Sequence, residues 1–143
     1  MPAEHSISLH LPCNSRYLSI LRDATLEFCL AAGLSEFQGY QVEMAVDEAC
    51  SNVIRHSYGG ECEAAAEASP LGFFVKITER AEELVVEIVD RGAGFNLADV
   101  VKPELDEPTD REIGFFVIDK FVDQVDYQRG TQDGNRLVLT KKR

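Results

Sequence analysis

Three short patterns carry the residues able to do chemistry. Glu48 and Asn52 lie four apart in a segment of helical periodicity, so they share one face. That face sits about a third of a turn from the apolar stripe, at ~100° per residue. A carboxylate and an amide oxygen would therefore project into a cleft at the edge of the core. Hard cations such as Mg²⁺ take oxygen ligands, and a carboxylate can accept a proton. Alone, E-x-x-x-N also describes a solvated helix face. Asp90 ends an alternating strand in which Leu84, Val86 and Ile88 have the same parity, so it points to the apolar face. A carboxylate aimed there needs a donor, which a ligand amine or the amides of a turn could supply. Asp90-Arg91-Gly92-Ala93-Gly94-Phe95 comes next without a gap. Its two glycines permit positive φ and close approach of a flat ligand, although D-x-G-x-G is also a common turn. Finally, Gly114 opens a short apolar helix. A helix N-terminus offers free N–H groups and the positive end of the dipole, which suit phosphate. A glycine there also serves close packing. The three patterns fall on a helix, at a strand end and at a helix start, each where a nucleotide site would want it.

The elements that must position them can be read in turn. His5 to Leu11 alternates, with Ile7, Leu9 and Leu11 against Ser6, Ser8 and His10, and predicts a half-buried strand. Asn14 or Ser15 can cap a first helix with Leu18, Leu21, Thr25, Phe28, Cys29 and Ala32 inside. Gly33 ends it, and Leu34 covers its last turn. Ser35 and Gln38 form a capping box for a second helix running to about Tyr58, with Val42, Val46, Ala49 and Val53 as its core stripe. Strands are predicted near Phe73–Glu79 and Leu84–Asp90, then a loop over 91–111, a helix from Ile113 to Val122, and a hairpin of Val125–Tyr127 and Arg136–Thr140 around Asp133-Gly134. Strands joined by short turns pair antiparallel, and helices apolar on one side cover one face. The expected fold class is α+β: a two-layer α/β sandwich, its sheet mixed and mostly antiparallel, its helices on one face.

Composition narrows the function. At 143 residues the chain is expected to form one domain, 1–143. The formal net charge of −11 disfavours a phosphate backbone or an anionic membrane and suits a basic protein partner. No apolar run approaches membrane-spanning length, and the first residues lack a signal-peptide pattern, so a cytoplasmic location is expected. Cys13, Cys29, Cys50 and Cys62 form no C-x-x-C pair and no zinc spacing, and read as free thiols.

The ordered motifs resemble those of the anti-sigma-factor serine kinases, a branch of the GHKL ATPase/kinase superfamily. Ala45 to Gly60, AVDEACSNVIRHSYGG, is similar to the asparagine box; Val89 to Phe95 to the first glycine box; Arg111 to Tyr127 to the second glycine box with its helix and strand; and GNRLVLTKK to the closing strand. The resemblance spans nearly the whole chain. It implies a histidine-kinase-like ATP-binding domain of Bergerat type, using ATP and Mg²⁺. It also implies roles: Asn52 on Mg²⁺, Glu48 as general base, Asp90 accepting from the adenine amino group, Gly92 and Gly94 beside the base, and Gly114 at the phosphates. The implied partners are a sigma factor and an anti-sigma-factor antagonist, regulated by partner switching, with a homodimer also implied and neither direct nucleic-acid nor membrane contact. The alternative from another class is a non-catalytic module of the same fold that sequesters a partner. Three departures from the family pattern bear on this choice: Glu112 where a glycine is usual, Asn135 where a threonine is usual, and an acidic stretch from Asn96 to Asp110. A carboxylate at position 112 would repel phosphates.

Overall fold

The computed structural model describes residues 4–59, 72–95 and 118–143. Five strands form one sheet: β1 (His5–Leu11), β2 (Phe73–Glu79), β3 (Glu83–Asp90), β4 (Gln124–Thr131) and β5 (Gly134–Lys142). Their order is β1-β2-β3-β5-β4. All four pairings are antiparallel, so the described sheet is purely antiparallel where a mixed one was expected. The reason is local: β1 pairs with β2 in antiparallel register, and the β2–β3 and β4–β5 pairs are hairpins.

Two helices, α1 (Leu18–Ala31) and α2 (Glu36–Asn52), share a core with one side of the sheet. The strands contribute alternate residues to it: Val75 and Ile77 from β2, Leu84, Val86 and Ile88 from β3, and Leu137 and Leu139 from β5. From α1 come Leu18, Leu21 and Cys29, and from α2 Val42, Val46 and Ala49, as the helical spacing predicts. The opposite parity of the strands carries Lys76, Glu87 and Arg136, and the last two form an ion pair. The architecture is thus the expected two-layer α+β arrangement.

The helix ends are set by their capping residues. The Asn14 side chain accepts from Arg16 N at 3.1 Å and starts a 3₁₀ turn, Ser15–Tyr17, that leads into α1. At the other end of α1, Leu34 N donates to Cys29 O and Gly33 N to Leu30 O, both at 3.0 Å, a Schellman pair closed by the buried Leu34. Ser35 and Gln38 exchange side-chain and backbone bonds, each 3.1 Å, so the capping box is formed. One difference matters for the site. The chain does not continue α2 in regular α geometry to Tyr58; Val53–Ser57 form a π-helical turn. Widened turns of this kind insert a residue into the helical repeat and re-aim the side chains beyond them. Residues 118–121 are helical, and Ile118 and Val122 enter the core. The remainder of the helix expected from Ile113 lies outside the described residues.

Candidate nucleotide site

Asp90 closes β3 with its side chain on the core face, as parity predicts, and is 2% exposed. Its Oδ1 accepts three donors: the Ser57 hydroxyl, Gly92 N at 2.9 Å and Asn135 Nδ2 at 2.9 Å. Among the described residues no donor reaches Oδ2. Among the described residues the turn amide, the hydroxyl and the side-chain amide all converge on one oxygen of the carboxylate.

Asn135 faces Asp90 directly across the β3–β5 ladder. It is equally buried, at 2% exposure. Its Nδ2 also donates to Gly92 O at 3.0 Å and lies 3.4 Å from Ser57 Oγ, while its Oδ1 accepts from Gly130 N at 2.9 Å. In the sequence Asn135 stands out only as a departure from a family pattern. Its parity with Leu137 and Leu139 is the signal that marks it as core-facing and so in need of buried partners. Ser57 is absent from the sequence-predicted site. Finding it requires knowing that the helix widens after Asn52.

The turn after Asp90 is fully tied down. Arg91 N donates to Tyr58 Oη (3.0 Å), Gly92 N to Asp90, Ala93 N to Ser57 O (2.7 Å), Gly94 N to Ser57 Oγ (2.9 Å) and Phe95 N to Tyr127 Oη (3.2 Å). Both glycines are required by space. A Cβ on Gly92 would run into the Ser57 backbone and hydroxyl, and one on Gly94, at φ +73°, would lie 2.7 Å from Asn135 Oδ1. With these amides committed, the turn is a fixed wall rather than a phosphate cradle. Phe95 stacks on Tyr127 with ring centres 4.6 Å apart and 9° between planes. Burial pushes the Tyr127 hydroxyl above its usual pKa, against the pull of the Phe95 N–H, and keeps it neutral.

Glu48 and Asn52 share a face of α2 as expected, but they do not stand alone. Arg55 Nη2 donates to Asn52 Oδ1 at 2.9 Å and lies 3.6 Å from Glu48 Oε2. That Glu48 oxygen is buried and accepts no hydrogen bond among the described residues. Burial raises the Glu48 carboxyl above the ordinary carboxylate range; Arg55 opposes this and Asp47 adds to it. A buried oxygen without a hydrogen bond, an amide oxygen beside it, and a cationic nitrogen already between them together fit a divalent cation. No group of three His, Cys, Asp or Glu side chains able to hold a metal occurs among the described residues. A metal at this pair would therefore complete its coordination with water or with phosphate oxygens. Gly114, Glu112 and the acidic stretch from Asn96 to Asp110 lie outside the described residues. So does Cys62, while Cys13, Cys29 and Cys50 are buried.

A model of the histidine kinase-like ATPase domain matches residues 11–141. The anti-sigma F factor of Clostridium acetobutylicum is 30% identical over 107 residues, covering 71% of this chain and 68% of that protein. The serine-protein kinase RsbW of Bacillus licheniformis is 23% identical over 143 residues, covering 94% of this chain and 84% of that protein. The chain belongs to the histidine kinase-like ATPase domain family, in its anti-sigma-factor serine kinase branch. Among the described residues no helix is long and apolar enough to cross a membrane.

This geometry has two measurable outcomes. Ser57→Ala removes a donor from Asp90 and the acceptor of Gly94 N, and should cost ~1–3 kcal/mol of stability, read by urea denaturation. A loss too small to measure would mean that the hub is not built on Ser57. For Glu48 the sign is set by its raised pKa. Such a carboxyl contributes its full stability below its unfolded pKa, ~4.3, and loses it as pH rises through the folded value. Glu48→Gln should therefore gain stability relative to wild type as pH climbs through and just above the carboxylate range. Parallel stability–pH curves for the two proteins would contradict the shift.

Proposed function

We propose that the protein binds ATP with Mg²⁺ and acts as an anti-sigma-factor serine kinase, phosphorylating a serine on an antagonist protein and binding a sigma factor in alternation with it. The observation that carries the reading is Asp90: a buried carboxylate at the end of β3 with one oxygen saturated and the other reached by no described donor. An exocyclic amine supplies the missing donor, which is how adenine differs at that position from a base carrying a carbonyl. The family match and the two relatives support the same reading.

In this reading Asp90 accepts from the adenine amine, and the wall of Gly92 and Gly94 lies beside the base. Asn52 presents its amide oxygen to Mg²⁺, which supplies charge neutralisation at the phosphates when bound. Glu48 takes the proton from the substrate serine hydroxyl as that oxygen attacks the γ-phosphorus and ADP departs. A base whose pKa is raised toward neutrality is better matched to that transfer. Gly114 is assigned to the phosphates by the family resemblance alone. The acidic surface, with a net charge of −11, suits partners with basic contact surfaces.

Calorimetric titration with ATP plus Mg²⁺ tests the reading. Wild type should bind, and Asp90→Asn should lose most of that binding while remaining folded; no heat from wild type would overturn the assignment. Glu48→Gln should bind ATP normally yet transfer phosphate ~10²–10⁴-fold more slowly, measured on a purified antagonist. Undiminished transfer would move the base elsewhere.

A further inference from the structure

We propose that Arg55 is an internal cation that closes the Glu48–Asn52 oxygen pair in the nucleotide-free protein, and that a divalent metal enters only as Arg55 leaves. The inference rests on the proposed function for the metal's place and adds a residue that controls access to it.

Glu48 and Asn52 fall at i and i+4 on one face of α2, and Arg55 stands three residues on, in the widened turn Val53–Ser57 that carries its guanidinium to the same two oxygens. A single nitrogen, Nη2, serves both oxygens: it bonds Asn52 Oδ1 at 2.9 Å and stands 3.6 Å from Glu48 Oε2. The first contact is a hydrogen bond and the second only an ion pair, so the guanidinium satisfies the amide and leaves the carboxylate oxygen short. That oxygen is the buried one with no hydrogen bond among the described residues. The latch thus neutralises the pair without filling its coordination.

Two features make it removable. The Arg55 side chain is 44% exposed, so solvent can take the guanidinium when it swings away. It also carries the same sign of charge as the metal. Both cannot occupy one oxygen pair, because two like charges a few ångströms apart in a partly buried site repel strongly. Metal entry and Arg55 release are therefore a single exchange. An engaged arginine lowers the apparent metal affinity by the fraction of time the pair is open; closure for about nine-tenths of the time lowers it about tenfold.

The experiment titrates Mn²⁺ into the nucleotide-free protein and follows free Mn²⁺ by electron paramagnetic resonance, so no catalysis is needed. Arg55→Gln should bind Mn²⁺ on the order of tenfold tighter than wild type. The gain should vanish in Arg55→Gln/Asn52→Ala. Arg55→Met, which keeps the apolar stem, should behave as Arg55→Gln does and covers the case in which the glutamine variant fails to fold. Equal Mn²⁺ affinity in wild type and in a folded neutral variant overturns the proposal. So does a gain that survives Asn52→Ala, which would be a general charge effect. Titration of the same proteins with ATP plus Mg²⁺ separates the two claims. Wild type silent to nucleotide while Arg55→Gln gains Mn²⁺ sinks the kinase reading and keeps the latch. Nucleotide binding with no metal gain does the reverse.

Discussion

A carboxylate at the floor of a core must be given donors, and the arrangement around Asp90 is the consequence. Burying an unpaired carboxylate costs several kcal/mol, so the fold that places Asp90 on the apolar face of β3 must bring hydrogen bonds to it. It does so from three directions. The strand's own turn supplies Gly92 N, the neighbouring strand supplies Asn135, and the end of the long helix supplies Ser57. Each of these fixes something larger. Asn135 lies directly opposite Asp90 in the β3–β5 register, Ser57 pins the helix to the sheet, and Gly92 sets the course of the turn. Half-satisfied buried networks are costly, which is why the members are cross-bonded rather than paired one to one.

The widened turn at Val53–Ser57 connects the two parts of the site. Before it, Glu48 and Asn52 point along one face of α2; after it, Ser57 reaches Asp90 and the glycine turn. A change in the pitch of this turn would move the oxygen pair and the Asp90 hub relative to each other. The same segment holds Arg55, so the residue that bridges the oxygen pair sits on the structural joint between the two halves.

Much of this was legible from residue types and spacing, for reasons that are physical. Alternation placed Asp90 on the core face, because period two leaves no choice once Leu84, Val86 and Ile88 are inside. Ser35-x-x-Gln38 marked a helix start because its bonds are made within four residues. Alternation predicts the hairpin strands but makes them shorter than they are, since the residues from Gln128 to Thr131 are exposed and carry no apolar alternation. The π turn leaves no trace in the pattern, because the apolar stripe of α2 runs on into it through the buried Val53. With it went Ser57. Arg55 escaped for another reason: an arginine on an exposed stripe looks like solvation until its nitrogen is found between two oxygens.

The two halves differ in how much freedom they keep, and that difference has a functional sense. The turn from Arg91 to Phe95 has its amides bonded and its glycines held by steric contact, so it can present one shape only. A wall that must discriminate a flat ring benefits from such rigidity, since ordering cost is then met in folding and not in binding. The oxygen pair is the reverse. Among the described residues the buried Glu48 oxygen accepts no hydrogen bond, and its only cationic partner is a half-exposed side chain. Incomplete satisfaction at that end leaves a defined oxygen face open to exchange of one cation for another, while the cross-bonded hub on Asp90 Oδ1 keeps the rest of the cleft in place during the exchange.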